Sequence, residues 1–231
     1  MTTLEHLKMF LEDNPPKKMP FWPGARYTGR VGLRTSREVL DAGASPLHLG
    51  VDRAGGDQLK MPFYGVLEWK KVHGPAGSIL RLSPYGMDLE IQVFHTAHKD
   101  RFVDELEGCF SKGDVLPVQP SNLGLSTGVH THTEVLLPYE LDLLHWIKEG
   151  TVPFIRAGVV DEWYVKHHAD KHDLNEKDLL ERLRTQVREW DITEAAPRYV
   201  VRQTLPPYRA PVWAGERPTT IHVDSRWLLK I

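Results

Sequence analysis

Asp88-Leu89-Glu90-Ile91-Gln92-Val93-Phe94-His95 is the stretch that decides the fold, because its side chains alternate between two types. Successive residues of a strand point to opposite faces of a sheet, so one face carries leucine, isoleucine, valine and the terminal His95. The other face carries Glu90, Gln92 and Phe94. This period of two predicts a strand over residues 88–95 with one apolar face.

Similar short apolar stretches lie on both sides of it. Residues 65–69 and 77–82 precede it, and Ser83-Pro84-Tyr85-Gly86 supplies a turn sequence that predicts a hairpin connection. Residues 115–118 and 130–136 are further strand candidates. Turn signals recur about every ten residues, which favours a compact antiparallel β domain.

The ends of the chain have helical periodicity instead. Residues 1–13 predict a short amphipathic helix that Asn14-Pro15-Pro16 ends. Residues 139–149 predict another helix, and Asp173 with Glu176 forms a capping-box pattern in front of a helix over residues 174–190. We therefore expect an N-terminal segment (1–20), a β domain (21–150) and a helical, irregular C-terminal appendage (151–231).

Composition excludes several classes of protein. The 231 residues contain 29 lysines and arginines against 31 acidic residues, for a formal net charge of −2. A nucleic-acid-binding module usually has a basic excess, so no nucleic-acid partner is expected. No apolar run approaches the roughly 18 residues of a membrane span. The first 18 residues mix acidic with apolar side chains, unlike a secretory signal, and predict synthesis in the cytoplasm.

Two strings in the sequence contain histidine and acidic residues that could bind a metal ion or act in catalysis. In Gly128-Val129-His130-Thr131-His132-Thr133-Glu134, a strand would place His130, His132 and Glu134 on one face. Two imidazoles on one face can bind a single metal ion or flank a reaction centre. An isolated His-x-His pair is also compatible with solvated or core histidines, so this string alone does not decide between these possibilities.

The second string favours a metal. His48 and Asp52 in His48-Leu49-Gly50-Val51-Asp52 are suitable Zn²⁺ ligands, and a bend at Gly50 would bring them together. A catalytic zinc needs three protein ligands and one open position for water. The two strings supply three histidines and one aspartate, one donor more than the three ligands needed, and spacing alone does not show which histidines bind.

Both strings resemble those of a known family, the lysostaphin-type zinc metallopeptidases. The segment 45–52 is similar to the family's HxGxD string, and 126–135 is similar to its STGxHxHxEV string. Between them, 62–66, 85–95 and 110–115 resemble a family turn, a family hairpin and a family loop in the same order. The resemblance covers about residues 24–135, and threonines stand at 131 and 133 where the family often has leucine and phenylalanine.

The resemblance implies a role for individual residues. It implies that His48, Asp52 and His132 bind Zn²⁺ and that His130 is a catalytic histidine. A second catalytic histidine lies at the end of the family's hairpin strand, where His95 fits best and His98 is the alternative. Glu134 is either an orienting partner of a metal-binding histidine or a solvated carboxylate at the strand end.

The resemblance also implies a fold and a function. We expect a mainly β fold, an antiparallel sandwich or barrel-like catalytic core, with a helical appendage. We expect a zinc-dependent endopeptidase acting on peptide stems or cross-bridges of bacterial peptidoglycan. The lack of a secretory signal and the compact size favour a bacteriophage lytic enzyme acting after lysis or a virion-associated protein. The alternative is a catalytically silent virion or scaffold protein with the same fold. The C-terminal region is expected to mediate docking or self-association and to expose His167, His168 and His172.

Overall fold

The computed structural model describes residues 2–29, 32–44, 46–138, 143, 146, 162–186, 189–192, 199–202, 220–223 and 225–230. In chain order, the helices are α1 (Thr3–Asp13), α2 (Arg37–Asp41), α3 (Glu162–His172), α4 (Glu176–Gln186) and α5 (Ser225–Leu228). The strands are β1 (Met19–Pro20), β2 (Arg26–Gly29), β3 (Gly32–Leu33), β4 (Leu47–His48), β5 (Val51–Ala54), β6 (Gly65–Lys71), β7 (Ser78–Pro84), β8 (Glu90–Phe94), β9 (Thr96–His98), β10 (Glu105–Phe110), β11 (Val118–Pro120), β12 (Thr131–Pro138), β13 (Glu189–Ile192), β14 (Tyr199–Arg202), β15 (Thr220–Val223) and β16 (Leu229–Lys230).

Seven of the eight strands of the main sheet lie in the order β10-β6-β7-β8-β12-β5-β2. Every neighbouring pair along this path is antiparallel. The mainly β, antiparallel fold that the alternating stretches predict is therefore confirmed. Among the described helices, none has the length and apolar character needed to cross a membrane.

Strand β8 lies at the centre of the sheet, with β7 on one side and β12 on the other. Leu89, Ile91 and Val93 are buried, as the alternation predicts. Gln92 is buried as well, which the alternation does not predict. It is paired in register with Arg81 of β7 and Glu134 of β12, so this face of β8 carries polar side chains away from solvent.

Helix α1 confirms the amphipathic helix predicted at the N-terminus. Its first turn is closed by a capping box, in which Glu5 N donates to Thr2 Oγ1 at 3.2 Å and Thr2 N donates to Glu5 Oε2 at 2.8 Å. These two bonds satisfy backbone donors that have no partner inside the helix. Leu7 is buried on the apolar side, and the helix ends at Asn14.

The chain forms two compact units. The first contains Met1–Arg30, Gly50–Leu137 and Val223–Ile231, and includes the seven strands of that path. The second contains Val31–Leu49 and Pro138–His222. The boundaries at residues 20 and 150 that the sequence suggests stay a prediction.

The helix predicted over residues 174–190 differs from the observed one. Asn175 is the capping residue, because its Oδ1 accepts from Asp178 N at 3.0 Å, so the prediction of Asp173 as the cap is wrong. Asp173 has a φ of +52° in the connection between α3 and α4. The helix ends at Gln186, and Trp190 lies in β13. The helix predicted over 139–149 falls outside the described residues except for residues 143 and 146, which are helical.

Thr133 offers a test of packing within β12. Its side chain is fully buried, it lies opposite Val51 and Val93, and within the described part of the chain its Oγ1 has no hydrogen-bond partner. Valine has the same shape without the hydroxyl. We expect Thr133→Val to leave the free energy of unfolding unchanged or to raise it by up to about 1 kcal/mol, measured by urea unfolding.

Ser78→Ala provides the contrast for this measurement. The Ser78 hydroxyl accepts from Thr96 N at 2.8 Å and lies 2.9 Å from Thr96 Oγ1, so its removal leaves buried groups unpaired. We expect this change to lower the free energy of unfolding by about 1–3 kcal/mol. A Thr133→Val protein destabilised to the same degree would contradict the packing described for that hydroxyl.

Candidate metal centre

Strand pairing brings together two polar residues that are far apart in sequence. In β12, His132 lies directly opposite Asp52 of β5 on one side and Phe94 of β8 on the other. Residues opposite each other in an antiparallel pair have Cβ atoms about 4.5–5.5 Å apart, close enough for side chains to bond. The register of the sheet is therefore what places Asp52 beside His132.

The His132 imidazole lies between two carboxylates. Its Nδ1 donates to Asp52 Oδ1 at 3.0 Å and its Nε2 donates to Glu134 Oε1 at 2.9 Å. His132 and Glu134 share a face of β12, as the alternation predicts, and both are buried. The buried position of Glu134 differs from that of a solvated strand-end carboxylate.

These contacts determine the protonation of His132 in the metal-free protein. Burial by itself lowers the pKa of His132, but the hydrogen bonds to Asp52 and Glu134 and their negative charges outweigh burial and raise the pKa to about 9. The metal-free imidazole is therefore positively charged at neutral pH. A metal ion that binds one of its nitrogens must displace a proton, so metal affinity falls as pH falls.

His48 completes a set of three donors. It is buried, at 4% exposure, and each of His48, Asp52 and His132 offers a ligand atom within 4.8 Å of those of the other two. Only three residues separate His48 from Asp52, and the chain bends at Gly50, as expected. Two histidines and one carboxylate form a donor set that suits Zn²⁺, and three protein ligands leave a fourth position open.

Two glycines make room for this cluster. A Cβ atom on Gly29 would lie 2.2 Å from Asp52 Oδ2, and one on Gly50 would lie 2.6 Å from His132 Nε2. Contacts this short do not occur between real side chains, so both positions must lack a side chain for Asp52 and His132 to stay where they are. The sequence string marks Gly50, but no pattern in the sequence marks Gly29.

A second pair of histidines adjoins the cluster. The rings of His95 and His130 have centroids 4.7 Å apart and are tilted by 41°. His95 Nδ1 lies 2.8 Å from the carbonyl of Leu123, and His130 Nδ1 lies 2.8 Å from the carbonyl of Gly128. A carbonyl only accepts, so in each ring Nδ1 carries the hydrogen and Nε2 is left as the proton acceptor.

Ser126 adds a contact that the sequence analysis did not assign. Its Oγ lies 3.0 Å from His130 Nδ1 and donates to the Gly128 carbonyl at 2.6 Å. It belongs to the string that resembles the metallopeptidase family, but nothing in its spacing indicated a bond to His130. Ser126 and Gly128 together hold the His130 ring in one orientation.

The backbone holds His95 in an unusual conformation. Its φ is +59°, a left-handed value that disfavours side chains with a Cβ. Its amide donates to the Ala76 carbonyl at 3.3 Å, and its carbonyl accepts from Ser121 N at 2.7 Å and from Ser121 Oγ at 2.9 Å. Hydrogen bonds to two neighbouring loops therefore hold His95 in this strained backbone conformation. Strand β8 accordingly ends at Phe94, so the strand predicted over residues 88–95 stops before His95.

Two further glycines let those loops approach each other. Gly77 and Gly124 both have positive φ, at +66° and +78°. A Cβ on Gly77 would lie 2.4 Å from the carbonyl carbon of Leu123, and one on Gly124 would lie 2.3 Å from the carbonyl oxygen of Pro75. The backbone contact between the loops thus places the Leu123 carbonyl that bonds to His95.

His98, the alternative to His95, has different surroundings. Its Nδ1 accepts from Asp100 N at 3.0 Å, and its ring lies 5.8 Å from the Trp69 ring. The structure brings His95, rather than His98, into contact with His130. The catalytic roles of these residues stay a prediction.

The histidines of the C-terminal region differ among themselves. His167 is exposed, as expected. His168 is buried, at 7% exposure, and its Nε2 donates to the Arg34 carbonyl at 2.8 Å, so the prediction that it is exposed is wrong. His172 is partly exposed, and its ring lies 4.6 Å from that of His168. Because the sequence around these residues is mostly polar, it gives no sign that one side of α3 is buried.

Comparison with known proteins gives distant similarities. No profile of a known protein family matches the sequence, and no curated protein matches it. One similar solved structure is a catalytic-domain variant of the prophage-encoded M23 protein EnpA from Enterococcus faecalis, which is 18% identical, covers 50% of this chain and 85% of that chain, and has a TM-score of 0.37. Another is the catalytic domain of the antimicrobial peptidase lysostaphin from Staphylococcus simulans, at 16% identity, 55% and 83% coverage and a TM-score of 0.33.

A third similar structure is a zinc-containing peptidase from Vibrio cholerae, at 19% identity, with coverage of 53% of this chain and 37% of that chain and a TM-score of 0.37. The similar structures thus include lysostaphin, which gives its name to the family that the two sequence strings resemble.

The protonation of His95 gives a prediction for acid stability. Burial, followed by the neighbouring His130 and His132, lowers the pKa of His95 from 6.5 to about 4, although the Leu123 carbonyl and Asp52 oppose the change. As pH falls, His95 is therefore protonated near pH 6.5 in the unfolded chain but only near pH 4 in the folded chain. The free energy of unfolding falls over this window as pH falls, by about 3 kcal/mol from this group.

His95→Gln removes the titrating group. In metal-free protein we expect the variant to lose about 3 kcal/mol less than wild type between pH 6.5 and pH 4, measured by urea unfolding at each pH. His73→Gln is the control, because that histidine is exposed. Equal losses in the His95 variant and in wild type would show that His95 is not held neutral by the fold.

Proposed function

We propose that this protein is a zinc-dependent endopeptidase that hydrolyses peptide bonds in bacterial peptidoglycan. The observation that carries the proposal is the buried donor cluster of His48, Asp52 and His132 beside the paired imidazoles of His95 and His130. The resemblance of the strings at 45–52 and 126–135 to those of the lysostaphin-type peptidases supports the substrate class. Such an enzyme would act at the bacterial cell wall.

His48, Asp52 and His132 would hold the metal. Their two imidazoles and one carboxylate fit Zn²⁺, and Gly29 and Gly50 leave the space that these side chains need. When bound, Zn²⁺ supplies a Lewis acid for a carbonyl and lowers the pKa of bound water to about 7. Glu134 accepts from His132 Nε2, so it orients the ring with Nδ1 toward the Asp52 side.

His95 and His130 would move protons. Each ring has its Nδ1 hydrogen committed to a backbone carbonyl, so each presents Nε2 as a base for the attacking water. The low pKa of His95 keeps it neutral at physiological pH. A proton that either ring takes from the water would then be delivered to the leaving amine.

Metal content provides the first test of this proposal. We expect purified protein to hold one Zn²⁺, measured by elemental analysis after dialysis, and we expect Asp52→Ala to abolish stoichiometric binding because it removes one of three ligands. Asp57→Ala is the matched control, since Asp57 is an exposed aspartate in the following loop. Full zinc occupancy in Asp52→Ala would remove Asp52 from the site.

Turnover separates the catalytic histidines from the ligands. We expect His95→Ala and His130→Ala to retain zinc but to cleave purified sacculi about 10²–10⁴-fold more slowly, because general acid–base catalysis contributes that much. Mass spectrometry of the released fragments would identify the bond that is cut. His98→Ala is the control and should remain close to wild type.

Two outcomes would count against the assignment. If His98→Ala lost turnover while His95→Ala stayed active, the catalytic histidine would be His98 and not His95. A wild-type protein that binds zinc but releases no fragment from sacculi of several wall chemistries would favour the silent scaffold protein over the enzyme.

A further inference from the structure

His48 is carried by a short hairpin within the second compact unit. Strand β3 pairs with β4, with Gly32 opposite His48 and Leu33 opposite Leu47. Arg34 N donates to the Pro46 carbonyl at 2.9 Å and adds one more rung next to this pair. The hairpin has only two residues in each strand, so its ladder by itself provides little to fix His48.

Between the two strands lies a connection that contains α2. Its last turn is closed by local bonds, from Ala42 N to the Glu38 carbonyl at 3.0 Å and from Ala44 N to the Val39 carbonyl at 3.2 Å. Gly43 follows in a left-handed conformation, with a φ of +93°. The Leu40 carbonyl accepts locally from Gly43 N at 3.0 Å, and the Leu40 and Ala44 carbonyls also accept from a donor outside this connection.

Arg182 of α4 binds both of these carbonyls. Its Nη1 donates to the Leu40 carbonyl at 3.1 Å, and its Nη2 donates to the Ala44 carbonyl. Asp178, one turn earlier on the same helix, lies 3.5 Å from Arg182 Nη1. A planar guanidinium with two donors can bridge two acceptors, whereas a single ammonium has no such rigid fork. Arg182 therefore joins α4 to both sides of the turn that leads to β4.

Helix α3 binds the other side of the same hairpin. The buried His168 donates to the Arg34 carbonyl at 2.8 Å, and Arg34 in turn donates to Pro46, two residues before His48. The connection is thus held at Arg34 by α3 and at Leu40 and Ala44 by α4. Both helices belong to the same compact unit as the hairpin.

We propose that Arg182 is a positioning residue for the metal ligand His48, and that His168 supports it from α3. This inference rests on the proposed zinc site. The hydrogen bonds of Arg182 fix the segment that enters β4, and an ordered β4 holds the His48 ring ready for the metal. The C-terminal region thereby contributes to metal binding through the hairpin, although it supplies no ligand of its own.

The chemistry of the contacts argues for positioning rather than filling of space. Both terminal nitrogens of Arg182 donate hydrogen bonds to backbone carbonyls, and its side chain is only about one quarter exposed. Without it, the two carbonyls lose a charged donor and the turn before β4 gains freedom. Partners that orient metal ligands typically change metal affinity by about 10–100-fold when they are removed.

The test compares zinc affinity in full-length variants that remain folded. We expect Arg182→Gln to weaken Zn²⁺ binding by about 10–100-fold, measured by competition with a chromogenic chelator, and Arg182→Lys to recover part of the loss because it keeps a charged donor. Lys177→Gln on the same helix makes the same change of charge at an exposed position and should bind zinc as wild type does.

A spectroscopic readout separates positioning from a general loss of stability. Cobalt(II) at saturating concentration should give a visible absorption spectrum in Arg182→Gln that differs from that of wild type, because a displaced His48 alters the coordination geometry. Wild-type zinc affinity together with an unchanged cobalt spectrum in the folded Arg182→Gln protein would overturn the inference. If that variant does not fold, the same comparison with Arg182→Lys decides, and unchanged affinity and spectrum there would overturn it equally.

The outcomes also distinguish this inference from the proposed function. Wild-type protein that binds no zinc would contradict the metal site itself, whatever the Arg182 variants do. Wild-type protein that binds one zinc, with Arg182 variants that bind equally well, would leave the metal site in place and reject only the positioning role.

Discussion

The register of β12 between β5 and β8 is the constraint on which the rest of the site depends. It places His132 opposite Asp52 on one side and Phe94, the residue before His95, on the other. Because side chains alternate along a strand, a slip by one residue would turn His132 and Glu134 away from Asp52 and bring threonines in their place.

Burial of charge gives this part of the sheet its chemistry. In the metal-free protein an imidazolium lies between two carboxylates, and each of its N–H groups has a partner. Charges in a protein interior persist only when they are paired and hydrogen-bonded, so the imidazolium is stable here without metal and gives up a proton when a metal cation binds. Beside it, His95 is held neutral by burial and by the neighbouring His130 and His132, so two histidines 37 residues apart in sequence have different charge states.

The C-terminal region has a place in this arrangement that its composition does not indicate. The stretch around residues 163–172 is polar, yet His168 is buried against the Arg34 carbonyl. Helix α4 begins at the Asn175 cap instead of the expected Asp173 cap, and Arg182 near its end reaches the carbonyls of a segment about 140 residues earlier. Contacts of this kind use backbone acceptors, and backbone acceptors have no sequence pattern by which they could be foreseen.

The sequence by itself determined the β character of the core, the buried apolar face of β8, the N-terminal helix and the two strings that hold the donor cluster, because these follow from periodicity and from spacing along a few residues. Only the tertiary structure decided which side chains meet. The contact of His95 with His130, the space left by Gly29, the bond from Ser126 and the anchoring of the His48 hairpin by Arg182 all join distant segments. Local sequence patterns do not predict which distant residues pair, because the distances between them are set by strand register and by the approach of one backbone to another.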